Sequence, residues 1–310
     1  MTAGCLIVSN TATRFQEEIE RTASIPIESC SSTLEAREKY AGQSILFGDP
    51  DMVAEILPDL PDVDWVQSTW AGITPLTAVG RRDYVLTGVK NVFGPQMTEY
   101  VMGYLLAHEL RVIERDKQQA AGNWYDSPSG LLHGKRLGIM GTGSIGAHIA
   151  RIARAFGLAV RGLSLSGTQS PDFDDVLPVG ELHSFLEKVD YLVSVLPATD
   201  GTTDLLDGAA LAKLPTHAFF INVGRGNVVN DEALIDALQG GRLAGAVLDV
   251  FDEEPVPAAS PLWSTPNLTI TAHIAAISHP SLIVPIFIEN YRRYCNNEPL
   301  KYVIDLDKGY

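Results

Sequence analysis

Hydrophobic and polar positions along this chain fall into short apolar runs separated by stretches with helical or turn-like spacing. A first block offers Cys5–Val8, Ser44–Phe47, Trp65–Ser68 and Tyr84–Thr87 as β-rich runs. A second, stronger block offers Leu137–Met140, Leu158–Leu163, Tyr191–Val195, Ala218–Asn222, Gly245–Leu248 and Leu268–Thr271. Runs of this length alternating with helix-like segments predict parallel sheets covered by helices on both faces. The expected fold is therefore α/β, with two Rossmann-like or flavodoxin-like domains. Between the blocks, Thr98–Ala121 reads as one long helix ending at Gly122, although Tyr100, Leu105, His108, Val112 and Arg115 define no single apolar stripe. Gly122–Gly134 reads as an irregular arm.

Composition narrows the class. The chain has 310 residues, 45% hydrophobic and 20% charged, enough for two globular domains. No apolar run approaches the roughly 18 residues of a membrane span, and the first residues lack the basic start of a secretory signal, so the expected address is cytoplasmic. A net charge of −15 disfavours nucleic acid and anionic membranes as partners, because both need a basic face. Cys5, Cys30 and Cys295 are odd in number and scattered, which reads as reduced thiols. His108, His133, His148, His183, His217 and His279 form no metal-binding spacing, so no metal is expected.

The strongest local signal is Gly141-Thr142-Gly143-Ser144-Ile145-Gly146, which follows an apolar run and opens a helical pattern with Ile145, Ile149, Ile152 and Phe156 on one face before Gly157. Such glycines let the backbone turn and approach a pyrophosphate, whose charge is met by amides at the helix N-terminus. A carboxylate about 20 residues further on would bind the ribose of NAD. Here Leu163-Ser164-Leu165-Ser166-Gly167-Thr168 occupies that place. The hydroxyls of Ser164, Ser166 and Thr168 could accept a 2′-phosphate, yet the loop lacks an arginine. The cofactor is thus NAD or NADP, with a slight lean to NADP. Downstream, Arg225, Glu254 and His273 each close a strand-like run in the same half of the sheet pattern, the side where ligands collect in such folds.

These segments together resemble the D-isomer-specific 2-hydroxyacid dehydrogenase family. The resemblance is carried by His133–Gly146, Asn222-Val223-Gly224-Arg225-Gly226, Leu248–Pro255 and Thr271-Ala272-His273-Ile274-Ala275-Ala276, in family order. Gln67–Gly72 looks most like the glyoxylate and hydroxypyruvate reductase branch. The resemblance implies a substrate domain of residues 1–98 plus 279–310, a dinucleotide domain of residues 99–278, and an active site in the cleft between them. It implies hinges near Met97-Thr98 and His279-Pro280, a homodimer, and no regulatory extension beyond Tyr310.

The same resemblance implies that Arg225 binds the substrate carboxylate and polarises the carbonyl, that His273 gives the proton, and that Glu254 holds the other ring nitrogen. It places Gly141, Gly143, Ser144, Ile145, Gly146, Ser164, Ser166, Leu196, Pro197, Thr203, Val223, Gly224, Asp249 and Ala275 along the cofactor, with Asp249 on the nicotinamide carboxamide. It places the amides of Ala71 and Gly72 on the substrate carboxylate and Phe47 in the pocket wall. The implied activity is hydride transfer between NAD(P)H and a small 2-oxo acid or D-2-hydroxy acid. The alternative is a catalytically silent NAD(P)-sensing interaction protein on the same fold. A short-chain dehydrogenase fits less well, since no tyrosine is followed four positions later by lysine. Two departures from the family stand out: Ala272 where a proline usually precedes the histidine, and the missing ribose carboxylate.

Overall fold

The computed structural model describes residues 4–306. They form two compact units: one from the chain up to Val92 together with the chain from Ser278, the other Phe93–Ile277. The border expected at residue 98 falls inside the helix Gly94–Glu109, which lies wholly in the second unit.

The smaller unit is built on β1 (Cys5–Val8), β2 (Ile27–Cys30), β3 (Ile45–Gly48), β4 (Trp65–Ser68) and β5 (Val85–Thr87). They pair in the order β2-β1-β3-β4-β5, all in parallel, a flavodoxin-like arrangement. Every residue of β1, β3 and β4 is buried, as apolar runs covered on both faces should be. Strand β2 was not expected. It reads Ile-Glu-Ser-Cys and lies at the sheet edge with only Cys30 fully buried, so it carries no continuous apolar run.

The C-terminal segment completes this unit through the helix Pro280–Cys295. Phe287 stacks on Phe47 with ring centres 4.5 Å apart and on Trp65 at 5.7 Å. Asn290, fully buried, donates to the Gln67 Oε1 that also accepts from Thr87, and Gln67 Nε2 donates to the carbonyls of Ser68 and Gly88. Two distant stretches of chain thus share one apolar stack and one satisfied polar network.

The larger unit holds β6 (Arg136–Met140), β7 (Ala159–Ser164), β8 (Asp175–Pro178), β9 (Tyr191–Ser194), β10 (Phe219–Asn222), β11 (Gly245–Leu248) and β12 (Leu268–Ile270). The order is β12-β11-β10-β9-β6-β7-β8, again all parallel. Counted from β6, this is the dinucleotide-fold order with a seventh strand added, and the strand order reverses between β6 and β9. Edge strand β8, Asp-Val-Leu-Pro, also escaped the apolar pattern. After the glycine fingerprint, the helix Ser144–Ala155 buries Gly146, Ile149, Ala150 and Ala153, whereas Phe156 stays 43% exposed. Small residues let this helix lie close on the sheet, so its inner face differs from the line of large residues read from the sequence.

The expected helix Thr98–Ala121 is two helices, Gly94–Glu109 and Val112–Ala120, broken at Arg111 with φ 52°. The break follows burial. Glu109, 6% exposed, is held by Lys135 Nζ at 2.5 Å and by the Tyr191 hydroxyl, while the second helix buries no residue. Burial raises the Glu109 carboxyl, but the hydrogen bonds from Lys135 and Tyr191 outweigh it and hold the group below its ordinary value. No helix among the described residues is long and apolar enough to cross a membrane.

Removing the Phe287 ring should uncouple the C-terminal helix from β3 and β4. Phe287→Ala is expected to destabilise the smaller unit by about 3–5 kcal/mol, seen as an earlier urea transition, and Phe287→Leu to recover a large part of that.

Candidate active site

Parallel strands all leave the sheet at their carboxyl ends, so the segments after β6, β7, β9, β10, β11 and β12 gather along one edge. The fingerprint follows β6. Gly141 has φ 106°, and a Cβ there would meet Val195 Cγ2 at 2.9 Å; a Cβ on Gly146 would stand 2.0 Å from the Gly141 carbonyl oxygen. The chain's own packing requires both glycines. Gly143 differs: its φ is −70° and a Cβ would meet nothing within 4 Å. What a side chain at Gly143 would obstruct is therefore the approach to the helix behind it. That helix start carries no side-chain cap, and its first amides, on Ser144, Ile145 and Gly146, have no partner within the turn. Open space, an uncapped N-terminus and a glycine that the fold does not need fit a pyrophosphate.

At the end of β7, Ser164 Oγ accepts from the Gly167 amide at 3.1 Å, and Ser166 and Thr168 share a hydrogen bond of 2.7 Å. Leu165 between them is 82% exposed. The turn presents hydroxyls and no charge, since the nearby Arg161 is paired with Asp175 at 2.9 Å. Leu196 and Pro197 follow β9, beside the fingerprint. Thr203 Oγ1 accepts from Asn227 Nδ2 at 2.9 Å, which ties its loop to the segment after Arg225.

Past β10, Asn222 shapes the arginine turn. It is fully buried, its Nδ2 donates to the Arg225 carbonyl at 2.9 Å, and its Oδ1 accepts from the Gly224 amide. Val223 is core and the following Gly224 is buried as well, so Arg225 is the first partly exposed residue of the turn. Gly224 has no room for a Cβ, which would lie 2.6 Å from the Leu196 carbonyl oxygen. Arg225 is partly buried and Nη1 donates to the Gly224 carbonyl at 2.6 Å. Burial lowers its guanidinium from the ordinary value and Glu254 opposes the shift; an arginine starts so high that it remains a cation.

Glu254 and His273 form the central contact. His273 Nδ1 lies 2.8 Å from Glu254 Oε2, and Glu254 Oε1 accepts from the Phe251 amide at 2.9 Å. With both carboxylate oxygens engaged, the glutamate has one orientation. Nδ1 then carries a proton toward the carboxylate, and Nε2, on a half-exposed side chain, is the nitrogen left for a ligand.

Three expected contacts are revised by the structure. Asp249, 1% exposed, accepts on Oδ1 from Thr271 Oγ1 at 2.5 Å and the Ile274 amide at 2.9 Å, and on Oδ2 from the Ala275 amide at 2.9 Å. Its carboxylate is engaged inside the chain through both oxygens, anchoring the histidine loop. Ala275 has a buried side chain and a spent amide, so only its carbonyl could meet a cofactor. Phe47, fully buried between Phe15 and Phe287, is core and lines no pocket. In the smaller unit, Ala71 is exposed, and the Ala71 and Gly72 amides make no hydrogen bond among the described residues. The sequence reading missed Asn222, Thr271 and Tyr100 as builders of the site; a polar residue ending an otherwise apolar strand run was the available signal for the first.

The family model for the NAD binding domain of D-isomer specific 2-hydroxyacid dehydrogenases matches residues 102–275. The glyoxylate/hydroxypyruvate reductase A of Klebsiella pneumoniae strain 342 is 33% identical over 217 residues, 70% of each chain. A solved D-isomer specific 2-hydroxyacid dehydrogenase family protein from Aeromonas salmonicida is 38% identical, with a TM-score of 0.94 over 99% of this chain and 100% of that one. The NADPH-dependent glyoxylate/hydroxypyruvate reductase of Sinorhizobium meliloti, solved with NADP and sulfate, is 26% identical, with a TM-score of 0.88 over 99% and 100%.

Gly146→Ala should push the fingerprint turn open and weaken dinucleotide binding about tenfold or more, roughly 1.4 kcal/mol. Fluorescence titration with NADPH checks this, and an unchanged affinity in a folded variant would separate the turn from phosphate binding.

Proposed function

This chain belongs to the D-isomer specific 2-hydroxyacid dehydrogenase family, oxidoreductases that work with NAD(P), and from that premise we propose that it reduces glyoxylate, hydroxypyruvate or a similarly small 2-oxo acid, with NADPH preferred. The observation that carries this reading is the 2.8 Å contact between His273 Nδ1 and Glu254 Oε2 on the sheet edge that also bears Arg225. Residues 143–146 would hold the pyrophosphate, and Ser164 and Ser166 the adenosine ribose. When bound, the dihydronicotinamide supplies a hydride to the carbonyl carbon.

The chain's own residues do the rest. Arg225 pairs its planar guanidinium with the substrate carboxylate and draws electron density from the carbonyl oxygen. His273, held at Nδ1 by Glu254, passes its Nε2 proton to the oxygen as negative charge develops there. One hydride and one proton convert the 2-oxo acid to the 2-hydroxy acid, and His273 ends neutral. In the oxidative direction the same nitrogen removes the proton.

The lean to NADPH is supported by the hydroxyl-bearing turn after β7, which has no carboxylate to repel a 2′-phosphate, and by the NADP held in the Sinorhizobium relative. A homodimer in the cytoplasm completes the reading. Val112, Ile113, Trp124 and Leu131 are each about half exposed or more and lie close along the chain, an apolar surface that a second copy would cover.

Steady-state assays of glyoxylate, hydroxypyruvate, pyruvate and phenylpyruvate with NADPH and NADH test the proposal; nucleotide binding without turnover on any of them would favour the silent sensor instead. His273→Ala should cut turnover by about 100-fold or more while leaving NADPH affinity intact, and unchanged turnover would remove it from the mechanism. Ser164→Asp should shift preference toward NADH, read as the ratio of kcat/KM values; an unmoved ratio would place Ser164 away from the ribose.

A further inference from the structure

His273 sits at φ 53°, in the left-handed region that a side chain with a Cβ seldom adopts, and the residue before it is Ala272. A proline at 272 would restrict its own φ and bias residue 271 toward extended backbone. Alanine does neither, so something else holds the turn. Among the described residues the Ala272 amide has no acceptor, whereas the amides on either side of it are tied down. The His273 amide donates to the Asp249 carbonyl at 2.8 Å, and the next two amides donate to the Asp249 carboxylate.

That carboxylate is itself held from outside the loop. Thr271 Oγ1 has one proton and spends it on Asp249 Oδ1 at 2.5 Å, so in its 2.6 Å contact with the Tyr100 hydroxyl the tyrosine must be the donor. Burial pushes the Tyr100 phenol up, with the Thr271 contact partly offsetting it, so the donor keeps its proton at ordinary pH. The hydrogen bonds therefore run in one direction, from Tyr100 to Thr271 to Asp249. One helix turn earlier, Gln96 brackets the far end of the loop, donating to the Ile277 carbonyl and accepting from its amide, both at 3.0 Å. The helix Gly94–Glu109 thus grips the histidine loop at residues 271 and 277.

We infer that Tyr100 and Thr271 are positioning residues for His273: their directed hydrogen bonds onto Asp249 set the 271–275 turn and aim the imidazole, in place of the backbone restraint that a proline at 272 would supply. The inference rests on the reading of His273 as the proton donor. Neither residue touches the reacting atoms; both act through the loop.

The test uses the full chain with NADPH and glyoxylate, comparing Tyr100→Phe, Thr271→Val, Thr271→Ser and each of the first two combined with Ala272→Pro. Tyr100→Phe and Thr271→Val should lower kcat about tenfold, the scale of a slightly misplaced catalytic group, with NADPH affinity within about twofold of the parent. Thr271→Ser, which keeps the hydroxyl, should stay near the parent. Ala272→Pro should restore kcat in Thr271→Val to within about threefold of the Ala272→Pro single variant, a rescue that a general loss of stability would not give. Hydrogen exchange at the Ile274 and Ala275 amides supplies a readout independent of activity: faster in Thr271→Val, slowed again by the proline. Unchanged kcat and exchange in both single variants would overturn the inference, as would loss of kcat that the proline does not recover. If His273→Ala retains turnover, the proton-donor reading fails and the positioning claim with it; if that variant is inactive while Thr271→Val is unaffected, only the positioning claim falls.

Discussion

Parallel pairing obliges each strand of the larger sheet to leave at the same edge, and everything that can do chemistry in that unit hangs on this constraint. Strands β6 to β12 are each four to six residues long except the three-residue β12, too short to scatter their ends widely. The fingerprint turn, the Ser164 turn, Arg225 and His273 belong to segments far apart in the chain, yet each begins where a strand stops. The helices that return the chain to the opposite edge make the repetition possible. The switch in strand order between β6 and β9 falls next to Gly141 and Leu196, the place where a dinucleotide fold receives its ligand.

An edge collects loops without shaping them. Buried polar side chains at the strand ends do the shaping, because a buried amide or carboxylate must find partners and the loop backbone is what lies within reach. Asn222 closes the arginine turn from both sides, and Asp249 gathers three donors from the histidine loop. Glu254 is fixed in turn by the Phe251 amide. These residues convert sheet order into side-chain orientation, and the arginine, glutamate and histidine inherit their positions from them.

The smaller unit applies the same logic with different materials. Gln67 and Asn290 join the C-terminal helix to β4 by a satisfied network, and Phe47, Phe287 and Trp65 join them by stacking. A phenylalanine that stands one residue before a strand end looks available for a substrate in one dimension; in three it is sealed by the returning helix. Asp249 shows a related point. Its position after β11 reads as a ligand contact, and in the fold both its oxygens also take donors from the histidine loop.

Apolar runs, the glycine fingerprint and the four motif segments were enough to establish from the sequence two parallel α/β units and the helix after the fingerprint, and to single out Arg225, Glu254 and His273 as candidates, because burial and tight turns act on neighbouring residues and leave local marks. The edge strands β2 and β8 left no such mark, since an edge strand is covered too little to need an apolar run. The break at Arg111, the sealing of Phe47, the spending of Asp249 and the line from Tyr100 to Thr271 were decided only by tertiary structure. Each depends on partners brought from elsewhere in the chain, and a hydrogen bond between residues 171 positions apart has no local signature to read.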